Sequence, residues 1–128
     1  MNSIIVYFTQ SGNTEKLAKI LHGEVGGAIQ TISADADFTA YDTIFVGTPN
    51  WAAGAPDPIK DYLKKYDFSG KTVVPFCTHG MGGLQNVAAD IEALCTGATV
   101  LKAFAIKGEN AEQAGEAVAA WLSELGLK

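Results

Sequence analysis

The sequence predicts an α/β fold in which helices cover both faces of a parallel sheet. Two observations indicate this. Continuously apolar runs rich in β-branched and aromatic residues lie at residues 4–8, 43–46 and 72–76, as in strands that are buried on both faces. Helical stripes lie between the strands, so the two element types alternate along the chain. Because 128 residues, 48% of them hydrophobic, suffice for one ordinary core, we expect a single domain over residues 1–128.

Two weaker runs, at residues 28–32 and 99–106, bring the expected number of strands to five. The segment between the second and third strands is short, so we expect a crossover whose helix is vestigial. Pro75 lies inside the run at residues 72–76 and has no N–H for a ladder hydrogen bond. We therefore expect a bulge at Pro75.

Apolar residues at helical spacing predict helices within residues 13–22, 83–95 and 111–125. Asp57 followed by Pro58 predicts a further helix start, with Asp57 as the N-cap and Pro58 at the first helical position. Asn110, with Gln113 three residues later, predicts the N-cap of the last helix.

The charge balance and the cysteines limit the function classes. Nine basic and 14 acidic residues give a formal net charge of −5, which argues against nucleic acid as a partner. Cys77 and Cys95 form no C-x-x-C pair, so a reducing cytoplasm is the expected location. The sequence has no basic leader and no apolar run of about 20 residues, so we expect neither secretion nor a membrane span.

Three strand ends are followed by unusual loops, at the edge where open α/β sheets bind ligands. The first loop, "TQSGNT" at residues 9–14, precedes a helix whose N-terminal N–H groups can bind an anion. It contains no Lys and lacks the spacing of a nucleotide-hydrolysing P-loop. The loop predicts a site for one terminal phosphate held by neutral donors; the alternative is a polar turn with a helix cap.

The other two loops suit a planar ligand. "TPNWAAGAPDP" at residues 48–58 contains Trp51 among small residues, which suggests an aromatic face for stacking, or half-buried loop packing. "THGMGG" at residues 78–83 lets the backbone approach a ligand closely. Three roles stay open for His79 within this loop: a solvent-facing loop residue, an acid/base group, or a charge near a cofactor.

Together the three loops resemble those of the flavodoxin family, and the resemblance runs over essentially the whole chain. "TQSGNT" fits the family's phosphate signature Thr-x-Ser/Thr-Gly-Asn-Thr, and "GTPNWAAGAPDPIKDYL" and "VVPFCTHGMGG" look like the flavin-flanking loops of shorter members. The resemblance implies a flavodoxin-like three-layer sandwich, a five-stranded parallel sheet in the order 2-1-3-4-5, and FMN as cofactor. The cofactor-binding residues that it implies are Thr9, Gln10, Ser11, Gly12, Asn13, Thr14, Thr48, Pro49, Asn50, Trp51, Ala52, Thr78, His79, Gly80, Met81, Gly82 and Gly83.

The function implied by the resemblance is low-potential electron transfer between redox enzymes, with a reductase and an electron acceptor as partners. We expect a monomeric, non-catalytic carrier with no catalytic side chain and no metal. One alternative is a small FMN-dependent NAD(P)H quinone or flavin reductase on the same fold, and another is a module that has lost its cofactor. A signalling receiver domain is discarded, because Phe8-Thr9 and Gly47-Thr48 stand where its acidic cluster would be required.

Overall fold

A computed structural model, which describes residues 1–51, 54–80 and 82–128, contains a parallel sheet with helices on both faces. Its strands are β1 (Ser3–Tyr7), β2 (Ala28–Thr31), β3 (Thr43–Pro49), β4 (Thr72–His79), β5 (Thr99–Val100) and β6 (Phe104–Lys107). The strand order is β2-β1-β3-β4-β5, and β6 also pairs with β4. The expected fold and strand order are thus confirmed, with the fifth strand divided into the two segments β5 and β6.

The helices are α1 (Asn13–Val25), α2 (Asp57–Leu63), α3 (Val87–Leu94) and α4 (Gly115–Glu124), with 3-10 helices at Phe38–Ala40 and Gly108–Gln113. The short helix Phe38–Ala40 confirms the vestigial crossover helix between β2 and β3. No helix in the described part of the chain combines the length and the apolar character needed to cross a membrane.

Both N-cap predictions were wrong, and α3 begins later than predicted. Pro56 is the N-cap of α2, and Asp57 is its first residue. The carboxylate of Asp57 still interacts favourably with the positive end of the helix dipole. Asn110 lies within the 3-10 helix Gly108–Gln113, whose Gly108 and Ala111 are buried, and the regular helix starts only at Gly115. The predicted helix at residues 83–95 begins at Val87.

Strand residues alternate between two cores, one on each face of the sheet. Ile4 and Val6 of β1 point to the core that α2 and α3 cover, whereas Ile5 and Tyr7 point to the core beneath α1 and α4. Because β1, β3 and most of β4 are buried on both faces, their sequences are continuously apolar rather than alternating.

β4 itself has no bulge at Pro75, but its register with the fifth strand shifts by one residue there, from Val73 opposite Val100 to Phe76 opposite Phe104. The register of β4 with β3 runs without interruption, with Val46 opposite Pro75. The N–H of Leu101 donates to the carbonyl of Val73 (3.0 Å), so the backbone polar groups of Val73 point to the fifth strand. These directions alternate from one residue to the next, so the backbone nitrogen of Pro75, two residues later, points to the fifth strand as well. The missing N–H of Pro75 therefore falls opposite residues 101–103, where the fifth strand is interrupted.

Candidate functional site

The carboxyl ends of β1, β3, β4 and β6 surround a cleft of about 320 Å³. It lies where the strand order reverses, because the chain goes from β1 outward to β2 and then returns to β3 on the other side of β1. Its lining residues are Ser11, Asn13, Pro49, Asn50, Trp51, Thr78, His79, Gly80, Lys107, Gly108 and Glu109. The three loops predicted from the sequence all contribute to it.

The first loop is closed by its own hydrogen bonds just before α1. The N–H of Gly12 donates to Thr9 Oγ1 (3.0 Å), and the N–H of Lys16 donates to the Gly12 carbonyl (3.1 Å). Gly12 has φ of +93°, a left-handed conformation that favours glycine. Within the described residues no side chain caps α1, so its first-turn N–H groups remain suited to an anion.

A buried hydrogen bond joins the first loop to the third. The hydroxyl oxygens of Thr14 and Thr78 lie 2.8 Å apart, and both residues are buried. Thr78 belongs to the end of β4, and Thr14 to the first turn of α1. The bond therefore fixes α1 relative to the third loop.

The side chain and backbone of Asn50 join the second loop to the third. Its N–H donates to the carbonyl of Thr78 (2.9 Å), and its Nδ2 donates to the carbonyl of Gly83 (2.8 Å) and to Gln85 Oε1 (2.7 Å). Gln85 has a positive φ of 44°. Asn50 thus holds the glycine-rich segment against the end of β3.

Trp51 presents a partly free aromatic face beside the cleft. Its ring packs edge-on against Phe8, with the centroids 5.3 Å apart and the planes at 80°, yet 38% of the residue is exposed. Trp51 and Gly54 exchange two backbone hydrogen bonds of 2.9 and 3.0 Å. These bonds hold Trp51 at the edge of the cleft rather than in the core.

Two polar atoms in the cleft lining are buried and have no hydrogen-bond partner among the described residues: Asn50 Oδ1 and His79 Nδ1. Buried polar atoms without partners are rare and costly. The amide oxygen accepts a hydrogen bond, and the imidazole nitrogen donates or accepts according to its tautomer. Hydrogen-bonding groups on a planar ligand are suitable partners for such atoms, and the edge of a flavin ring carries both N–H and carbonyl groups.

Sequence reasoning missed the fourth side of the cleft, which Lys107, Gly108 and Glu109 form. Lys107 Nζ lies 3.1 Å from Glu109 Oε1. Gly108 packs so closely on α1 that a Cβ there would lie 2.6 Å from Asn13 Nδ2. A cation therefore also lines the cleft, whereas the sequence prediction named only neutral donors. The rule that ligands bind at strand ends could have found this segment, since it directly follows the fifth strand.

The predicted site residues fall into three groups. Those in the lining are Ser11, Asn13, Pro49, Asn50, Trp51, Thr78, His79 and Gly80. Those that do not line the cleft are Thr9, Gln10, Gly12, Thr14, Thr48, Gly82 and Gly83. Ala52 and Met81 lie outside the described residues.

The ionisable groups around the cleft form no metal cluster within residues 1–51, 54–80 and 82–128. Behind the cleft, burial raises the pKa of the Cys77 thiol to about 12. Burial, with a hydrogen bond to Glu15, also raises the pKa of Tyr7. Both groups stay protonated at neutral pH, so neither contributes a charge to the site.

Comparison with known proteins agrees with this architecture. The model of a family described as Flavodoxin matches residues 27–125. A flavodoxin of Synechocystis sp. is 34% identical over 82 residues, which are 56% of this chain and 48% of that protein. The chain spans about half the length of the curated relatives it matches. The chain belongs to the flavodoxin family.

Solved structures show the same fold. A Bacteroides uniformis protein has a TM-score of 0.83 at 23% identity, over 95% of this chain and 97% of that one. A flavoprotein from Lactobacillus acidophilus, solved in complex with FMN, has a TM-score of 0.66 at 19% identity, over 88% of this chain and 97% of that one. The family match begins after the first loop.

Proposed function

We propose that the cleft binds FMN and that the protein is a low-potential electron carrier between redox proteins. One observation supports this most: a single cleft combines an anion-suited helix start with an aromatic side chain and two buried, unpartnered polar atoms. Membership of the flavodoxin family and the fold shared with an FMN-bound flavoprotein agree with the proposal.

The phosphate would bind at the start of α1. Backbone N–H groups of the first turn, the hydroxyl of Ser11 and the amide of Asn13 are the donors at this end of the cleft. The positive end of the helix dipole adds a further attraction for a dianion. The hydrogen bond between Thr14 and Thr78 keeps these donors fixed relative to the third loop.

The ring would lie between the second and third loops. FMN, when bound, supplies redox chemistry through its isoalloxazine ring. Trp51 would orient the ring and exclude water from one face, while Asn50 Oδ1 and His79 Nδ1 would form hydrogen bonds to its edge. In these roles the side chains bind and orient the ring, and none of them transfers a proton.

The size of the cleft supports a carrier over a reductase. About 320 Å³ is at the lower end of the range for one small-molecule ligand, whereas a reductase would also need a site for a nicotinamide dinucleotide. The net charge of −5 suits docking onto basic protein surfaces and disfavours added negative charge on a bound cofactor. We propose a reductase and an electron acceptor as partners, and a monomer in the cytoplasm.

An absorption and reduction experiment tests the proposal. The purified protein is mixed with FMN, and the mixture is then reduced stepwise without air. Shifted flavin bands followed by two separate one-electron steps would support the carrier. Bound flavin that takes up two electrons in one step and oxidises NAD(P)H would support the reductase. Unshifted bands would contradict FMN binding and leave a module without its cofactor.

A further inference from the structure

We infer that Lys107 selects a phosphorylated ligand. When FMN binds, the ammonium group of Lys107 leaves the carboxylate of Glu109 and pairs with the phosphate instead. This inference rests on the proposed function and extends it from the cofactor to the residue that distinguishes FMN from riboflavin. It also departs from the expectation, drawn from the first loop, that only neutral groups hold the phosphate.

The position of Lys107 follows from the sheet. Lys107 is the last residue of β6 and pairs with His79, the last residue of β4. Both residues line the cleft. The next residue, Gly108, is buried against Asn13 at the start of α1. The segment 107–109 therefore runs from beside His79 to the end of the cleft where the helix N–H groups lie.

The charges at this end are few. Of the described lining residues, Lys107 is the one with an ammonium or guanidinium group and Glu109 the one with a carboxylate. Nearby, Lys16 of α1 is engaged with Glu112 (2.9 Å), and neither of these lines the cleft. Lys107 is consequently the cation that a bound phosphate would meet.

The ion pair between Lys107 and Glu109 is suited to exchange. Its side chains are 40% and 68% exposed, and pairs this exposed contribute little to stability. A phosphate monoester has a charge near −2 at neutral pH and bonds more strongly to an ammonium group than one carboxylate does. When the phosphate binds, Glu109 can turn to solvent at small cost. Glu109 therefore competes with the ligand, and the two side chains should have opposite effects on affinity.

Dissociation constants for FMN and riboflavin test the inference, because the two ligands differ only in the phosphate. We expect Lys107→Gln to weaken FMN binding about tenfold while riboflavin binding stays unchanged. Glu109→Gln should tighten FMN binding by roughly two- to fivefold, since it removes both the competitor and a like charge. Raising the salt concentration should reduce the difference between wild type and Lys107→Gln.

Lys102→Gln is the matched control. Lys102 forms a similar surface pair with Glu124 (2.7 Å, side chains 67% and 57% exposed) and does not line the cleft. It should leave both dissociation constants unchanged. Inorganic phosphate should compete with FMN on wild type and compete less on Lys107→Gln. Urea midpoints equal to that of wild type show that the variants are folded.

Three outcomes would overturn the inference. Unchanged FMN affinity in Lys107→Gln would show that no pairing occurs, and an equal loss for FMN and riboflavin would assign Lys107 to the ring instead. In both cases wild type still binds FMN, so the proposed function stands. Failure of wild type to bind either flavin would overturn the proposed function and this inference with it.

Discussion

Thr14 and Thr78 share a hydrogen bond of 2.8 Å in the interior, at the point where α1 meets the end of β4. Thr14 is 1% exposed and Thr78 3%. The bond links two loops that are far apart in sequence and sit on either side of the β1–β3 switch point. The geometry of the cleft thus depends on a contact that lies behind it.

Removing one of these hydroxyl groups should destabilise the fold. Thr78→Val leaves the buried hydroxyl of Thr14 without its partner, which should lower the free energy of unfolding by about 1–3 kcal/mol. The double variant Thr14→Val/Thr78→Val should cost less than the sum of the two single variants, because both polar groups are then gone. Urea unfolding measures all three. Thr99→Val, at an exposed position of β5, is the control and should change stability by less than about 0.5 kcal/mol. Additive costs would contradict the coupling.

Gly47 of β3 is fixed by packing. A Cβ on Gly47 would lie 2.2 Å from the ring of Phe76, which is fully buried. We expect Gly47→Ala to lower the free energy of unfolding by about 3 kcal/mol, because the ring must move in a close-packed core. Gly23→Ala in α1 meets nothing within 4 Å, so it should stabilise by about 0.5–1 kcal/mol. Equal effects of the two variants on the urea midpoint would contradict this account.

A single cooperative transition in urea unfolding would support the prediction of one domain.

Of the two tryptophans, Trp51 should be the one whose substitution changes the affinity for FMN. Trp51→Ala should weaken FMN binding by about tenfold, since loss of an aromatic stacking contact costs about 1–3 kcal/mol. The control is Trp121→Phe. Trp121 is buried and donates to the carbonyl of Lys102 (2.8 Å), so its loss should lower the thermal midpoint with little change in affinity. Fluorescence titration with FMN measures both variants, and unchanged affinity in Trp51→Ala would remove Trp51 from the site.

The two cysteines should be unreactive in the folded protein. Cys77 and Cys95 are buried, and burial raises their pKa values from 9.0 to about 12 and about 11. A thiol reagent at pH 8 should label neither cysteine until urea is added. Rapid labelling of the folded protein would contradict the burial of these side chains.

The same thiols predict an alkaline loss of stability. Above pH 9 the unfolded chain loses thiol protons that the folded chain retains, so the unfolded state binds fewer protons. The free energy of unfolding should therefore fall as the pH rises from about 9 towards 11. Cys77→Ala should reduce this slope, whatever its effect on stability at neutral pH. An unchanged slope in that variant would contradict the contribution of Cys77.

The sequence contained most of the sheet but not the interruption of the fifth strand. Runs such as residues 4–8 are recognisable because both faces of β1 are buried. The ladder between β4 and the fifth strand is interrupted opposite Pro75, where the register shifts by one residue, and the direction that Pro75 faces depends on the register of β4. The bulge was predicted in β4, whereas the extra residue lies in the fifth strand, because a single sequence does not specify on which side the missing N–H falls.

The candidate site was predictable in the same partial way. The first and third loops have compositions that indicate a phosphate and a closely approaching ligand, and the structure brings both to one cleft. Lys107 and Glu109 have no such local signal. Their proximity to Asn13 arises from the pairing of β6 with β4 and from the close packing of Gly108 on α1.

Whether the cleft binds FMN is measured by a fluorescence titration of FMN with the purified protein. Free FMN fluoresces, and enclosure beside Trp51 should quench this emission. We expect saturable quenching with one FMN bound per chain. Flavin emission that stays unchanged as the protein concentration rises would contradict the assignment of this cleft as an FMN site.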